Sequence, residues 1–389
     1  MEELFSNSKD FNSTVEETPS NRASVRTLSR RIHILGVGNI GKFVAHSLAG
    51  VPNPPPITLL LRRRSQSRQW VEEGQAINLV THGVSEKRTG FNVESAIPTP
   101  NLSIQRQQAL QEPIHHLIVT TKATHTVQAL QNIKHRLTPD SSIVFLQNGM
   151  GILDEVNESV FPDPDERPNY LVGIISHGVF TKASYFSAVH AGFGTTSIGA
   201  LPRTSKSAAG GSTAMASLSS RYLLRTVTRT PVLAAVGFSP IDLAQLQLEK
   251  LAINAIINPL TAVMNCRNGD ILHNVALTRT MRLLLSEISL VIRSLPELQG
   301  VPNVDVRFSS KRLEAIVIGT ANKTANNISS MLQDTRHGNL TEIDYINGYI
   351  VRRGEMMGIR CVMNYMILQM VKGKSNMEHT KGEKMLPFE

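Results

Sequence analysis

Ile32-His33-Ile34-Leu35-Gly36-Val37-Gly38-Asn39-Ile40-Gly41, residues 32–41, is the stretch that decides the fold. A short apolar run enters a G-x-G-x-x-G turn, and KFVAHSLAG at 42–50 follows with helical character. Strand, glycine turn and helix in that order form the fingerprint of a dinucleotide-binding unit. Gly36 permits the tight turn, Gly38 lets the backbone approach a pyrophosphate, and Gly41 lets helix and strand touch. Backbone N–H groups at the helix start, around Asn39 and Ile40, would hold the phosphates.

The next strand, ITLLL at 57–61, ends in Arg62-Arg63-Arg64. An NAD site usually carries an acidic residue here to hold the ribose hydroxyls, whereas arginine suits a 2′-phosphate and hence NADP. A solvated basic turn is the plainer alternative. Arg62 stands nearest the strand and is the chosen contact, with Arg63 and Arg64 left open. Further on, HHLIVTTKA at 115–123 reads as a buried strand with Lys122 just past its end, where ligands of open α/β sheets lie. SSIVFLQ at 141–147 repeats the pattern and delivers Asn148 into the turn Asn148-Gly149-Met150-Gly151. The alternation implies a mostly parallel sheet. Residues 70–113 mix short strand-like pieces with polar turns. YLVGIIS at 170–176 and TTSIGAL at 195–201 are strand-like, with His177 and His190 nearby as more ordinary structural hydrogen-bonders.

At 389 residues, 41% hydrophobic and 18% charged, the chain is globular and long enough for two domains. Residues 1–30 are expected to be a disordered extension, 31–240 a Rossmann-type domain with a flexible insertion at 204–220, 241–375 a helical domain, and 376–389 a polar tail. The two cysteines, Cys266 and Cys361, lie far apart, which suits a reducing compartment and excludes a disulfide framework or a cysteine-based zinc site. No metal is expected. No apolar run approaches the roughly 18 residues that a membrane crossing requires. Localisation is expected to be cytoplasmic. For a mitochondrial presequence stand Arg22, Arg26, Arg30 and Arg31; against it stand Glu2, Glu3, Asp10, Glu16 and Glu17. The formal charge of +9 is spread along the chain and aromatics make up only 5%, which favours an anionic cofactor and substrate over nucleic acid. A homodimer is left open.

LEKLAINAIINPLTAVMN at 248–265 is apolar on nearly every side, so as a helix it should be buried. Yet Lys250, Asn254 and Asn258 recur every four residues and share one face. Polar groups carried into an apolar wall need partners. From Ile241 onward the periodicity stays helical, through 278–295, 304–324, 341–359 and 363–373.

GVGNIG, Lys122, QNGMG, EKLAINAIINPLTAVMN, NNISSMLQD and TEIDYINGYIVRRGEMMGI together resemble the ketopantoate reductase (2-dehydropantoate 2-reductase) family, in order from Ile32 to about Lys374. That resemblance implies an α/β fold, a Rossmann domain joined to an all-helical domain of the 6-phosphogluconate dehydrogenase C-terminal type. It also implies NADPH-dependent reduction of 2-dehydropantoate to (R)-pantoate, on the route to pantothenate and coenzyme A. By position it makes Lys250 the catalytic lysine and Glu342 the glutamate that holds the substrate hydroxyl. Asn254, Asn258 and Ser330 become substrate contacts, Asn148 sits beside cofactor and ketone, and Arg62 and Lys122 hold NADP with the glycines. Leu248 stands where relatives often carry tryptophan, and Cys361-Val362-Met363 lacks the proline that commonly starts the last helix.

The residue types suit that chemistry. Hydride reaching a ketone carbon builds charge on its oxygen, which a positioned ammonium stabilises and protonates. Burial would lower the lysine's proton affinity towards neutrality. Two other readings stand beside this one: a reductase of a different 2-keto acid, and a non-catalytic relative that binds RNA or protein.

Overall fold

The computed structural model describes residues 29–97, 112–181, 184–203 and 217–384. The expected extension up to residue 28 and most of the expected insertion, 204–216, lie outside the described residues.

Twelve strands among the described residues form two sheets: β1 Ile32–Leu35, β2 Ile57–Leu61, β3 Ile77–Thr81, β4 Val84–Arg88, β5 Asn92–Ser95, β6 His116–Val119, β7 Ser142–Phe145, β8 Asn169–Ile175, β9 Gly178–Thr181, β10 Ser187–Gly192, β11 Thr196–Ala200 and β12 Ala235–Gly237. The larger sheet runs β12-β11-β8-β7-β6-β1-β2-β5. All its pairs are parallel except β8 with β11. Every residue of β1, β2, β6 and β7 is buried, as expected of strands covered on both faces. Covering them are α1 Asn39–Ala49, α2 Arg64–Glu72, α3 Ala123–Ile133, α4 Ile152–Ser159 and α5 Leu218–Thr228. The chain first moves outward from β1 through β2 to β5, then returns to the other side of β1 at β6. The strand order therefore reverses between β1 and β6, which opens a crevice at their C-terminal ends.

In this half one stretch gains a placement and one expectation needs correction. The mixed stretch from residue 70, which its sequence left without a finer placement, is divided between two sheets. It supplies β3 and β4 to a second sheet, β4-β3-β10-β9, in which β3 pairs in parallel with β10 more than a hundred residues away. That sheet packs on α1. The segment Ser217–Ser220 is not part of a loop. Ser217 caps α5 by accepting from Ser220 N at 3.1 Å, Ser219 donates to His115 O at 2.8 Å, and Ser220 meets the hydroxyl of Ser142 at 2.9 Å. Small hydroxyls bring this helix close to β6 and β7.

Beyond β12 the described residues form no further strand. The helices are α6 Pro240–Met264, α7 Val275–Arg293, α8 Val304–Arg307, α9 Ser310–Lys323, α10 Ser330–Arg336, α11 Asn347–Met356 and α12 Val362–Lys384. Ser239 starts α6 by accepting from Asp242 N at 3.2 Å, with Pro240 at the first helical position where its missing N–H costs nothing. α6 is the central member, packed against α7, α9, α10 and α12 around a core that includes Leu251, Ile256, Leu260, Leu284, Ile288, Val317 and Ile350. The last helix also runs further than its composition announces: residues 376–384, expected as polar tail, continue α12.

Candidate active site

The crevice between β1 and β6 is a cleft of about 460 Å³. Gly36, Gly38, Arg62 and Lys122 border it, together with Val37, Thr120, Thr121, Arg63, Gln66 and Tyr185. Gly36 has φ +98°, and a Cβ there would lie 2.5 Å from the backbone nitrogen of Thr121, so both conformation and space demand glycine. At Gly41 a Cβ would lie 2.1 Å from Gly36 O, so this residue sets the close contact of α1 with the turn. Gly38 has open space before it, the gap into which a ligand's phosphate could settle. The N–H groups of Asn39, Ile40 and Gly41 have no protein acceptor among the described residues. A helix start with free donors, a glycine cradle and adjacent cations is a fit for a dinucleotide. Of the three arginines, Arg62 and Arg63 border the cleft and Arg64 does not. The side chain of Asn39 turns away from it and accepts from Thr181 Oγ1 at 2.5 Å.

Lys122 borders the same cleft, but its ammonium reaches across to α10, where it pairs with Asp334 and donates to Leu340 O at 3.4 Å. One residue on, the N–H of Ala123 donates to Glu342 Oε1 at 3.1 Å, placing that carboxylate at the start of α3. The other oxygen accepts from Asn148 Nδ2 at 3.5 Å. Burial raises the Glu342 carboxyl above its usual value; the Ala123 N–H opposes that, Asp334 adds to it, and Lys122 and Asn148 oppose it.

Lys250 reaches out of α6 in the opposite direction, and its amine donates to Ile175 O, at the end of β8, at 2.8 Å. Burial lowers its pKa from the ordinary 10.5 to about 8, against the charge of Glu342, which holds it up. Asn148, Gly149, Gly173, Gln147, Asn254 and Lys250 share one small cavity. Lys250, Asn254, Asn148 and, through Asn148, Glu342 are thus gathered at one place, although they lie as much as 194 residues apart in the chain.

Asn258 and Ser330 do not line that cavity. Asn258 lies one turn further along α6, 8% exposed, and its amide has no hydrogen-bond partner among the described residues. Ser330 opens α10 and is exposed. Its neighbour Ser329 is the one turned inward, capping Leu332 N at 3.1 Å and accepting from Thr261 Oγ1 at 2.7 Å. His177 and His190 form a buried pair, with 3.0 Å between His177 Nδ1 and His190 Nε2 and His177 Nε2 held on Leu233 O at 3.0 Å. They are part of the packing around Phe43. Sequence reasoning did not find Asp334, Gln147 or Tyr185. None of these carried a local signal, because each meets its partner only through the fold. Among the described residues no group of three or more His, Cys, Asp or Glu could hold a metal, and no helix is long and apolar enough to cross a membrane.

Two family models match the chain, "Ketopantoate reductase PanE/ApbA" over residues 32–203 and "Ketopantoate reductase PanE/ApbA C terminal" over residues 242–375. The chain is 28% identical over 359 residues to a probable 2-dehydropantoate 2-reductase of Schizosaccharomyces pombe, covering 91% of this chain and 99% of that protein. It is 30% identical over 364 residues to a ketoisovalerate reductase of Gibberella fujikuroi, covering 85% and 79%. Among solved structures, a probable 2-dehydropantoate 2-reductase from Bacillus subtilis superposes with a TM-score of 0.63 at 24% identity, covering 88% of this chain and 99% of that one, a likeness of fold.

Proposed function

Matched by both models over most of its length, the chain belongs to the ketopantoate reductase family of oxidoreductases, and from that premise we propose that it reduces 2-dehydropantoate to (R)-pantoate with NADPH. The observation that carries this reading is the desolvated amine of Lys250, with a pKa of about 8, set between Ile175 O and the field of Glu342. An amine so tuned is still largely protonated at neutral pH and gives its proton up readily.

The cofactor supplies the hydride. The chain's own groups do the rest. Lys250 faces the ketone oxygen, stabilises the charge that grows there and delivers the proton from Nζ, so that carbonyl becomes hydroxyl and ammonium becomes amine. Glu342, fixed by Ala123 N–H and Asn148, holds the substrate's hydroxyl and so orients the substrate. Asn254 and Asn258, whose amides have no protein partner among the described residues, and Ser330 are donors for the substrate's carboxylate and hydroxyl. Neutral donors bind the carboxylate without further depressing the lysine's pKa. Arg62 would hold the 2′-phosphate, the glycine turn the pyrophosphate, and Lys122, at the same cleft, would be a further cation for the cofactor.

A second substrate has support from the 30% identical ketoisovalerate reductase, because the two keto acids share the reacting group. A non-catalytic role has less: Lys250 and Glu342 are both present and electrostatically coupled. Mixing the purified protein with NADPH and either keto acid, and following absorbance, tests all three. Faster turnover of 2-dehydropantoate supports the proposal, faster turnover of ketoisovalerate moves the substrate, and turnover of neither overturns the reading.

A further inference from the structure

We propose that Tyr185 is a cofactor-selecting residue, its phenol donating a hydrogen bond to the 2′-phosphate beside Arg62 and Arg63. This rests on the NADPH reading above and deepens it. Tyr185 comes from the short connection between β9 and β10 in the second sheet, yet it borders the dinucleotide cleft alongside Arg62, Arg63 and Gln66.

The hydrogen bonds fix which way its proton points. Gln66 Oε1 accepts from the backbone N–H of Arg62 at 3.1 Å and of Arg63 at 2.9 Å. Two N–H donors on that end require it to be the oxygen, so the other end is the NH₂ group, and it donates to Tyr185 Oη at 2.5 Å. The phenol oxygen is therefore an acceptor towards Gln66, and its own O–H has no acceptor among the described residues. Burial raises its pKa above the ordinary 10, so the proton stays on at neutral pH. Neither guanidinium has a carboxylate partner among the described residues. Two unpaired cations and one free O–H donor at a strand end match a phosphate dianion and not a ribose diol.

The backbone of Tyr185 is also held in place before any ligand arrives. Lys42, itself buried, donates to Tyr185 O at 2.7 Å and to Thr181 Oγ1 at 3.2 Å. Glu73 Oε1 accepts from Tyr185 N at 3.0 Å. Both contacts tie the residue to the helices after β1 and β2, so little ordering is left for binding.

The test is the dissociation constant of NADPH and of NADH for the full-length protein and its Tyr185→Phe variant, by calorimetry. Phenylalanine keeps the ring and removes only the donor, and NADH affinity reports on the integrity of the site. The expected result is NADPH binding weakened roughly tenfold, with NADH within about twofold of wild type, as for loss of one hydrogen bond to a charged group. Unchanged NADPH affinity, or equal weakening of both, overturns the proposal. A wild-type protein that binds both equally overturns the NADPH reading and this proposal with it.

Discussion

Asn347 Nδ2 donates to Ala255 O at 2.9 Å, and Ala255 is the residue whose carbonyl Pro259 leaves without its helical partner. Proline has no N–H to return four residues back, so α6 would carry an open acceptor at its buried centre. The amide of Asn347, fully buried at the start of α11, closes that gap and is itself bonded to Asn364 Oδ1 at 3.1 Å. The same contact fixes the segment carrying Glu342 against the helix carrying Lys250.

Asn347→Ala should therefore destabilise the protein by about 1–3 kcal/mol, the cost of leaving a buried acceptor unsatisfied. Urea denaturation followed by circular dichroism measures it; an unchanged midpoint would show that water replaces the amide without loss.

Lys250→Ala should lower kcat by a factor on the order of 10²–10⁴, the usual worth of a positioned proton donor, while the melting curve stays cooperative. Retention of most of the turnover would remove Lys250 from the chemistry.

The pH profile follows from the same lysine. With its pKa near 8, the proton-carrying form is lost as pH rises through that value, so kcat/KM for reduction should fall on the alkaline side. The negative charge of Glu342 holds that pKa up. Glu342→Gln should therefore move the alkaline limb to lower pH, as well as slowing the reaction. A limb that stays put or moves upward contradicts the electrostatic pairing.

Arg62→Ala should abolish most of the preference for NADPH over NADH, with little change in NADH affinity, as read by fluorescence titration. Full preference in that variant would transfer the role to Arg63, the other arginine at the cleft.

The parts of this architecture that were readable beforehand are those written in local periodicity. β1 and its glycine turn, the apolar strands β2, β6 and β7, and the buried helix around Lys250 each carry their pattern within a few residues. β4 does not: VSEKR is exposed at four of its five positions, and its pairing with β3 depends on a sheet completed by residues 178–192. Ser217–Ser220 looked like a loop because serine favours caps and turns, and here one of them is a cap. The partners of Lys122 and Tyr185 were out of reach for another reason. Asp334 lies 212 residues beyond Lys122, and Gln66 lies 119 before Tyr185, distances that only the fold closes.

Lys250 grows from the helical half of the molecule but is aimed by a carbonyl of the sheet, Ile175 O. Neither half alone holds that amine in place. Any excursion that parts them would rehydrate the amine and return it to an ordinary surface lysine. The lowered pKa of the amine is therefore a property of the seam, and it lasts only while the seam is shut.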